Sequence, residues 1–182
     1  MQNLREQLRE LRRNQVCLVG VGNTDCGDDG FGVRLAERVA QASRLMRLDG
    51  VSVLGAGNMP EHNLAQLADG GYGHVIFLDA VEFGGEPGAT VLLDSTQMAA
   101  RFPQVSTHKL SLGLLARLIE ANGRTRAWLL GVQPESLKAG SGLSPRVQTT
   151  LELLAELLIE RVDLAWNRES PFVRPKPFDT PC

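Results

Sequence analysis

The sequence predicts an α/β fold: a three-layer α/β/α sandwich whose mostly parallel, five-stranded sheet has one antiparallel strand. Two observations predict this class. Short apolar runs, beginning with 16–20, alternate along the chain with segments whose apolar residues recur at helical spacing. The first run passes into a glycine-rich loop at 20–32, and such strand-to-helix loops border the ligand-binding edge of open α/β sheets.

The strands are predicted from short runs rich in branched apolar residues. They are expected at 16–20, 51–54, 73–79, 89–94 and 126–132. Only a short loop with Gly84, Gly85, Pro87 and Gly88 separates the third run from the fourth. A connection this short does not suit a parallel crossover, so 89–94 is predicted to be an antiparallel strand at the edge of the sheet.

The helices are predicted from apolar periodicity and from capping residues. They are expected at 3–13, at 29–43, from Pro60, from Thr107 or His108, and from Pro145 to about 162. Ser144 suits the N-cap of the last helix, and proline is favoured in a first helical turn. We therefore divide the chain into an N-terminal amphipathic helix (1–14), one domain (15–163) and a proline-rich tail (164–182). For the tail, docking on the domain and disorder both remain open.

Composition argues against several kinds of partner. The formal net charge is −2 and no basic cluster is present, so nucleic acid and anionic membrane surfaces are not expected as partners. Three cysteines without metal-binding spacing indicate a reducing compartment. The charged N-terminus does not resemble a signal sequence, and no apolar run is long enough to cross a bilayer. We expect a cytoplasmic monomer.

The loop at 20–32 reads G-V-G-N-T-D-C-G-D-D-G-F-G, with five glycines and two adjacent aspartates. A dinucleotide-binding turn would have glycine at Asp25, and a P-loop would have lysine followed by serine or threonine after its last glycine. Both nucleotide-binding interpretations are therefore disfavoured. Asp28 and Asp29 could simply cap the following helix, although a cap explains one acid better than two. The glycines are interpreted as bringing the backbone close to a bulky protein substrate.

Two further polar residues are predicted to reach the same edge of the sheet. Asp79 ends the strand at 73–79, and His108 lies at a predicted helix start, where the helix dipole favours the neutral imidazole. Two carboxylates and a neutral imidazole each offer a lone pair to a divalent transition metal. The alternatives are that Asp79 is a turn residue and His108 a surface residue.

These motifs together resemble those of the hydrogenase maturation proteases over about residues 16–160. The matching stretches are G-V-G-N-x-x-x-x-D-D-G-x-G-V-R from Gly20, F-L-D-A, the P-G turn at Pro87, T-H-K-L-S-L-G, and G-V-Q-P-E-S at 131–136. The family's three metal-contacting positions fall on Asp29, Asp79 and His108. The resemblance implies an endopeptidase that removes the C-terminal extension of a NiFe hydrogenase large-subunit precursor after nickel insertion. The nickel would belong to the precursor, and no nucleotide would be needed.

Two departures from the family pattern concern the site. The first-loop acid is either Glu or Asp in the family, and this chain has the shorter Asp29, which is expected to change geometry and not role. After the second strand, where the family often has Asp-Gly-Gly followed by threonine or serine, this chain has Gly55, Ala56, Gly57 and Asn58. The resemblance implies that these four residues, with Asn23, contact the substrate. The missing carboxylate leaves open which hydrogenase is selected.

The sequence leaves the mechanism open. It contains no H-E-x-x-H motif and no apparent Ser-His-Asp set. Cys26 lies in the loop, at a position that the family fills with apolar residues, and is interpreted as a small hydrophobic residue rather than a nucleophile. The nickel could position the scissile bond, polarise its carbonyl group or activate water. Alternatively, Asp29 or Asp79 acts as a general base toward water. Asp28 is interpreted as a capping acid.

Two other classes of function remain. A non-catalytic module that inspects the metallocentre would carry the same motifs as the peptidase. A small-molecule hydrolase on a similar sheet would need an aromatic-lined pocket near the loop, where Phe31 and Phe83 are the aromatic residues closest in sequence to the motifs.

Overall fold

The structure is a computed structural model that describes residues 3–46, 48–102 and 111–160. Within these ranges the helices are α1 (Leu4–Leu11), α2 (Phe31–Met46), α3 (Leu64–Asp69), α4 (Ser95–Arg101), α5 (Leu112–Glu120) and α6 (Pro145–Ile159). The strands are β1 (Val16–Val21), β2 (Val51–Gly57), β3 (His74–Ala80), β4 (Thr90–Asp94) and β5 (Arg126–Val132). Short 3-10 helices, Gly27–Gly30 and Pro60–Asn63, precede α2 and α3. His108 and the predicted tail lie outside the described residues.

The strands form one sheet in the order β2-β1-β3-β5-β4. The pairs β1–β2, β1–β3 and β3–β5 are parallel, whereas β4 pairs antiparallel with β5 at the edge, as predicted. The chain goes from β1 to β2 on one side and then returns to place β3 on the other side of β1. Connections that leave in opposite directions open a crevice at the carboxyl ends of the two strands. That crevice lies between β1 and β3.

Helices cover both faces of the sheet, which confirms the three-layer prediction. One apolar core joins the sheet to α1, α2 and α6, and β3 contributes Ile76 and Leu78 to it. The alternate residues of β3, Val75 and Phe77, belong to a second core beneath α3, α4 and α5. Strand residues alternate between faces, so a strand covered on both sides reads as a continuous apolar run. Within the described ranges, no helix combines the length and apolar character needed to cross a membrane.

The predicted N-terminal helix is present as α1 and packs against α6. Leu8 and Leu11 are buried in the core that α6 shares. Arg5 and Arg9 hydrogen-bond the exposed carboxylate of Glu160, and these bonds lower the pKa of Glu160 to about 2. The beginning of the described chain is thereby joined to its end.

Several predicted boundaries were wrong. Helix α4 was not predicted, although Asp94 and Gln97 form a capping box at its start. Strand β2 continues to Gly57 and does not end at residue 54. Helix α5 begins at Leu112 because the Ser111 side chain accepts the Leu114 N–H and caps it, so the predicted start at residue 107 or 108 was wrong.

Candidate active site

The candidate site lies in the crevice between β1 and β3 and contains two carboxyl groups. Asp79, near the end of β3, is only 6% exposed and pairs in register with Gly131 of β5. Asp29 lies in the 3-10 helix that follows β1. Burial, and after it the negative charge of Asp29, raise the pKa of Asp79 to about 8. The structure therefore brings these two predicted residues together, and Asp79 is largely a neutral acid at pH 7.

Hydrogen bonds within the loop hold Asp29 in place. Its Oδ2 accepts the backbone N–H of Asn23 at 2.7 Å. The Asn23 side chain is used inside the same loop: its Oδ1 accepts the Asp25 N–H at 3.0 Å, and its Nδ2 lies 3.4 Å from the Cys26 sulfur. Asn23 thus organises the loop beside Asp29. The half-buried Cys26 thiol lies against this amide, and its interpretation as a small hydrophobic residue stays a prediction.

Asp28 is fully buried and holds a distant segment of the chain. Its carboxylate accepts backbone N–H groups from Glu135 (2.8 Å), Ser136 (3.0 Å) and Ser144 (2.6 Å). Burial alone would raise the pKa of Asp28, but these three donors together outweigh it and lower the pKa. The interpretation of Asp28 as a capping acid for the following helix was wrong. Its carboxylate ties the site loop to the β5–α6 connection.

The motif glycines serve packing inside the protein. A β-carbon at Gly22 would lie 1.9 Å from the carbonyl oxygen of Asp29, and one at Gly32 would lie 1.8 Å from that of Leu78. A β-carbon at Gly27 would lie 2.6 Å from the carbonyl oxygen of Ser136. At these three positions the missing side chain therefore makes room for the protein's own backbone, and their interpretation as glycines that approach a substrate was wrong.

The predicted substrate-contacting segment, 55–58, borders the site loop. Gly20 pairs with Gly55 and Val21 with Gly57, so Ala56 is an extra residue that forms a bulge. The Gly22 N–H donates to the carbonyl oxygen of Gly57 at 3.1 Å. The structure thus places the end of β2, including the expected contacts Gly55, Ala56 and Gly57, directly beside the loop that carries Asp29.

The predicted three-residue metal set is described only in part. Asp29 and Asp79 lie together, whereas His108 falls outside the described ranges. Across the residues that the structure does describe, no three His, Cys, Asp or Glu side chains are grouped to hold a metal ion. Helix α5 begins at Leu112 and not at residue 107 or 108. The dipole of a helix start at His108, which was expected to keep the imidazole neutral, is therefore not supplied by α5.

Sequence reasoning assigned no role to Gln133, a further polar residue at this edge. Its side chain is 5% exposed and lies directly after β5. It supports residues 81–89, here called the crossover loop, which connect β3 to β4. The G-V-Q-P-E-S stretch could have indicated this role. It places a glutamine directly after a buried strand, and a buried glutamine needs hydrogen-bond partners.

The protein has an α/β fold with a mostly parallel sheet, and the carboxyl pair lies in the crevice where such sheets bind ligands. Comparison with known proteins specifies the family. The family model described as hydrogenase maturation protease (HycI) matches residues 33–161. The chain belongs to the hydrogenase maturation protease family.

Individual relatives agree with this assignment. The chain is 32% identical over 160 residues to the hydrogenase 2 maturation protease of Escherichia coli K12, covering 86% of this chain and 92% of that protein. It resembles the structure of the [NiFe] hydrogenase maturation protease HycI from Thermococcus kodakarensis, with a TM-score of 0.71, 31% identity, and coverage of 85% and 99%. For the hydrogenase maturating endopeptidase HybD from E. coli, the TM-score is 0.65, with 29% identity and coverage of 78% and 88%.

Proposed function

We propose that this protein is a cytoplasmic endopeptidase that removes the C-terminal extension of a NiFe hydrogenase large-subunit precursor once nickel has been inserted. The observation that carries the proposal is the buried Asp79 beside Asp29 in the crevice between β1 and β3. Family membership supports the reaction class. The nickel is part of the substrate and serves as its recognition element.

The proposed contacts to the nickel come from three residues. Asp29 is held by the Asn23 N–H at the crevice, and Asp79 is buried close enough to feel the charge of Asp29. His108 is proposed as the third contact from its position in the family motif. A carboxylic acid must lose its proton to bind a metal ion. The pKa of Asp79 is about 8 in the free protein. Binding of nickel-loaded precursor near neutral pH should therefore release a proton from Asp79.

The residues of this chain supply two features of the proposed reaction. Asp29, and Asp79 once it has lost its proton, would place negative charge where a cationic metallocentre would dock, and this docking positions the scissile bond. Either carboxylate is also a candidate general base for the attacking water. The end of β2, with Gly55, Ala56, Gly57 and Asn58, is proposed to contact the precursor beside the site loop, as is Asn23.

Nickel recognition is tested with two forms of the same precursor. The protein is mixed with nickel-loaded and with nickel-free precursor, and the loss of the C-terminal peptide is followed by mass spectrometry. We expect cleavage of the loaded form alone. Equal cleavage of both forms would contradict recognition through nickel, and binding without cleavage of the loaded form would favour a non-catalytic inspecting module.

The site residues are tested by substitution in the same assay. Asp29→Asn, Asp79→Asn and His108→Ala should each lower cleavage of the nickel-loaded precursor by at least about 100-fold, a factor corresponding to about 2.7 kcal/mol of transition-state stabilisation. The exposed Asp25→Asn substitution in the same loop is the matched control. Full activity in the Asp79 and His108 variants would mean that the site has been assigned wrongly.

A further inference from the structure

The crossover loop borders the candidate site. In the sheet order β4 lies on the far side of β5 from β3, so the chain must pass over the carboxyl end of β5 between them. The loop starts at Val81, two residues after Asp79. The N–H of Val81 donates to the carbonyl oxygen of Val132, the last residue of β5, at 2.9 Å. The loop therefore lies at the same edge of the sheet as Asp79.

The side chain of Gln133 fills the inside of this loop. Its Oε1 accepts three successive backbone N–H groups, from Phe83 (2.9 Å), Gly84 (3.0 Å) and Gly85 (3.2 Å). Successive N–H groups that converge in this way form a concave site for an electron-rich atom. The amide oxygen of Gln133 occupies it and is the acceptor of all three N–H groups.

The remaining polar groups of Gln133 also engage the loop. Its Nε2 donates to Glu82 Oε2 at 3.0 Å. Its backbone N–H donates to the carbonyl oxygen of Ala89 at 2.8 Å, and its own carbonyl oxygen accepts the Gly88 N–H at 2.9 Å. Gln133 thus holds both the beginning and the end of the crossover loop.

A second attachment joins the loop to α4. The guanidinium of Arg101 lies 5.7 Å from the ring centre of Phe83, and its Nη2 donates to the Phe83 carbonyl oxygen at 3.4 Å. Arg101 ends α4, and the chain then enters the segment with His108. The crossover loop is therefore attached both to the strand that carries Asp79 and to the helix that precedes His108.

We propose that Gln133 is a positioning residue that shapes the crossover loop into a wall of the substrate site, where the loop contacts the precursor polypeptide. This inference rests on the proposed function. Gly84 and Gly88 have φ angles of +79° and +82°, and a glycine-containing loop without internal support would lose more conformational entropy on binding. A loop that is already held in its bound shape avoids that entropy cost. Loss of the Gln133 contacts should therefore weaken the affinity for substrate.

The test reverses one hydrogen bond. Gln133→Glu keeps an oxygen toward the three N–H groups but turns the Nε2 donor into an oxygen that faces Glu82 Oε2 and, at a longer distance, the Pro134 carbonyl oxygen. We expect the amides of Phe83, Gly84 and Gly85 to exchange at least tenfold faster and KM for nickel-loaded precursor to rise at least tenfold, with kcat within threefold. Adding Glu82→Gln supplies a donor from the other side. The double variant should recover both amide protection and KM to within threefold of wild type.

A matched control repeats the chemistry away from the crevice. On α6, the Gln148 Nε2 donates to Glu152 Oε1 at 2.9 Å on the exposed surface. Gln148→Glu creates the same carboxylate pair there. It should leave KM and the exchange of the loop amides unchanged.

The outcomes separate a positioning role from a purely internal one. If Gln133→Glu frees the loop amides without raising KM, or if the double variant recovers amide protection but not KM, the proposal is wrong. If the single variant fails to fold, the proposal is tested by amide exchange in the wild-type protein. Bound precursor should slow the exchange of the amides in 81–89. Unchanged exchange would overturn the proposal. If the wild type does not cleave nickel-loaded precursor, the proposed function fails, and precursor Kd values for the same variants then test Gln133.

Discussion

At the scale of single residues, Asp79 links stability to pH. Its pKa of about 8 lies above that of an unfolded aspartic acid, so the folded chain holds the proton more tightly. The contribution of Asp79 to folded-state stability therefore falls as pH rises from about 4 to about 8, by up to about 1.4 kcal/mol per pH unit, and levels off above that range. Asp79→Asn cannot ionise and should gain stability relative to wild type across this range. Urea unfolding at several pH values measures the difference, and parallel curves would contradict it.

The contribution of Asp28 to stability should change with pH in the opposite direction to that of Asp79. Asp28→Ala leaves three buried N–H groups without their acceptor and should cost roughly 3 kcal/mol or more of unfolding free energy at pH 7. The pKa of Asp28 is lowered on folding, so its contribution is present above the unfolded-state pKa and is lost as pH falls through the folded one. The gap between wild type and variant should therefore narrow in acid. Asp25→Ala, at an exposed position, should change stability by less than about 0.5 kcal/mol.

The sequence could predict the placement of Asp29 and Asp79 but not that of Asp28. Asp29 follows β1 and Asp79 lies near the end of β3. The carboxyl ends of parallel strands meet at one edge of the sheet, so the proximity of these two residues could be predicted. The donors to Asp28 lie 107, 108 and 116 residues further along the chain. No local sequence pattern indicates contacts at this separation. The preference of aspartate for helix starts suggested instead that Asp28 is a helix cap.

At the scale of elements, the end of β2 allows a test of substrate contact that leaves packing alone. A β-carbon at Gly55 would have no atom within 4 Å, and the position does not need a left-handed backbone. Gly55→Ala should therefore keep the stability of the wild type within about 0.5 kcal/mol. If this segment contacts the precursor, the added methyl group should raise KM several-fold. Gly142→Ala, which also adds a methyl group in open space, is the control and should leave KM unchanged.

The buried parallel strands were predicted more accurately than β2 and helix α4, whereas the edge strand β4 was predicted to within one residue. Strands β1, β3 and β5 are covered on both faces and are therefore apolar along most of their length. Such continuous apolar runs are typical of buried parallel strands, so composition alone indicated them. Helix α4 has seven residues and begins directly after β4, so its apolar spacing is too short to stand out. The residues by which β2 extends past its predicted end are Gly55, Ala56 and Gly57. In isolation they favour a turn, but in the fold the two glycines pair with β1 and Ala56 forms the bulge.

At the scale of the whole molecule, α1 completes the core that α6 shares, so a residue at the start of the chain should affect global stability. Leu8 is 1% exposed in that core. Leu8→Ala should lower the free energy of unfolding by about 2–5 kcal/mol through lost burial and a cavity. Leu45→Ala, at a leucine that is 85% exposed, should change it by less than about 0.5 kcal/mol. Equal effects in denaturant titrations would mean that α1 is only loosely attached.

The bonds of Asp28 also have a consequence for biosynthesis. During translation, residues 20–32 leave the ribosome long before Glu135, Ser136 and Ser144 have been made. Until then, the carboxylate that joins the site loop to the β5–α6 connection lacks its native donors. The loop beside Asp29 therefore gains these three bonds only once the chain extends past Ser144. A nascent or prematurely terminated chain would carry the acids of the site without the geometry needed to use them.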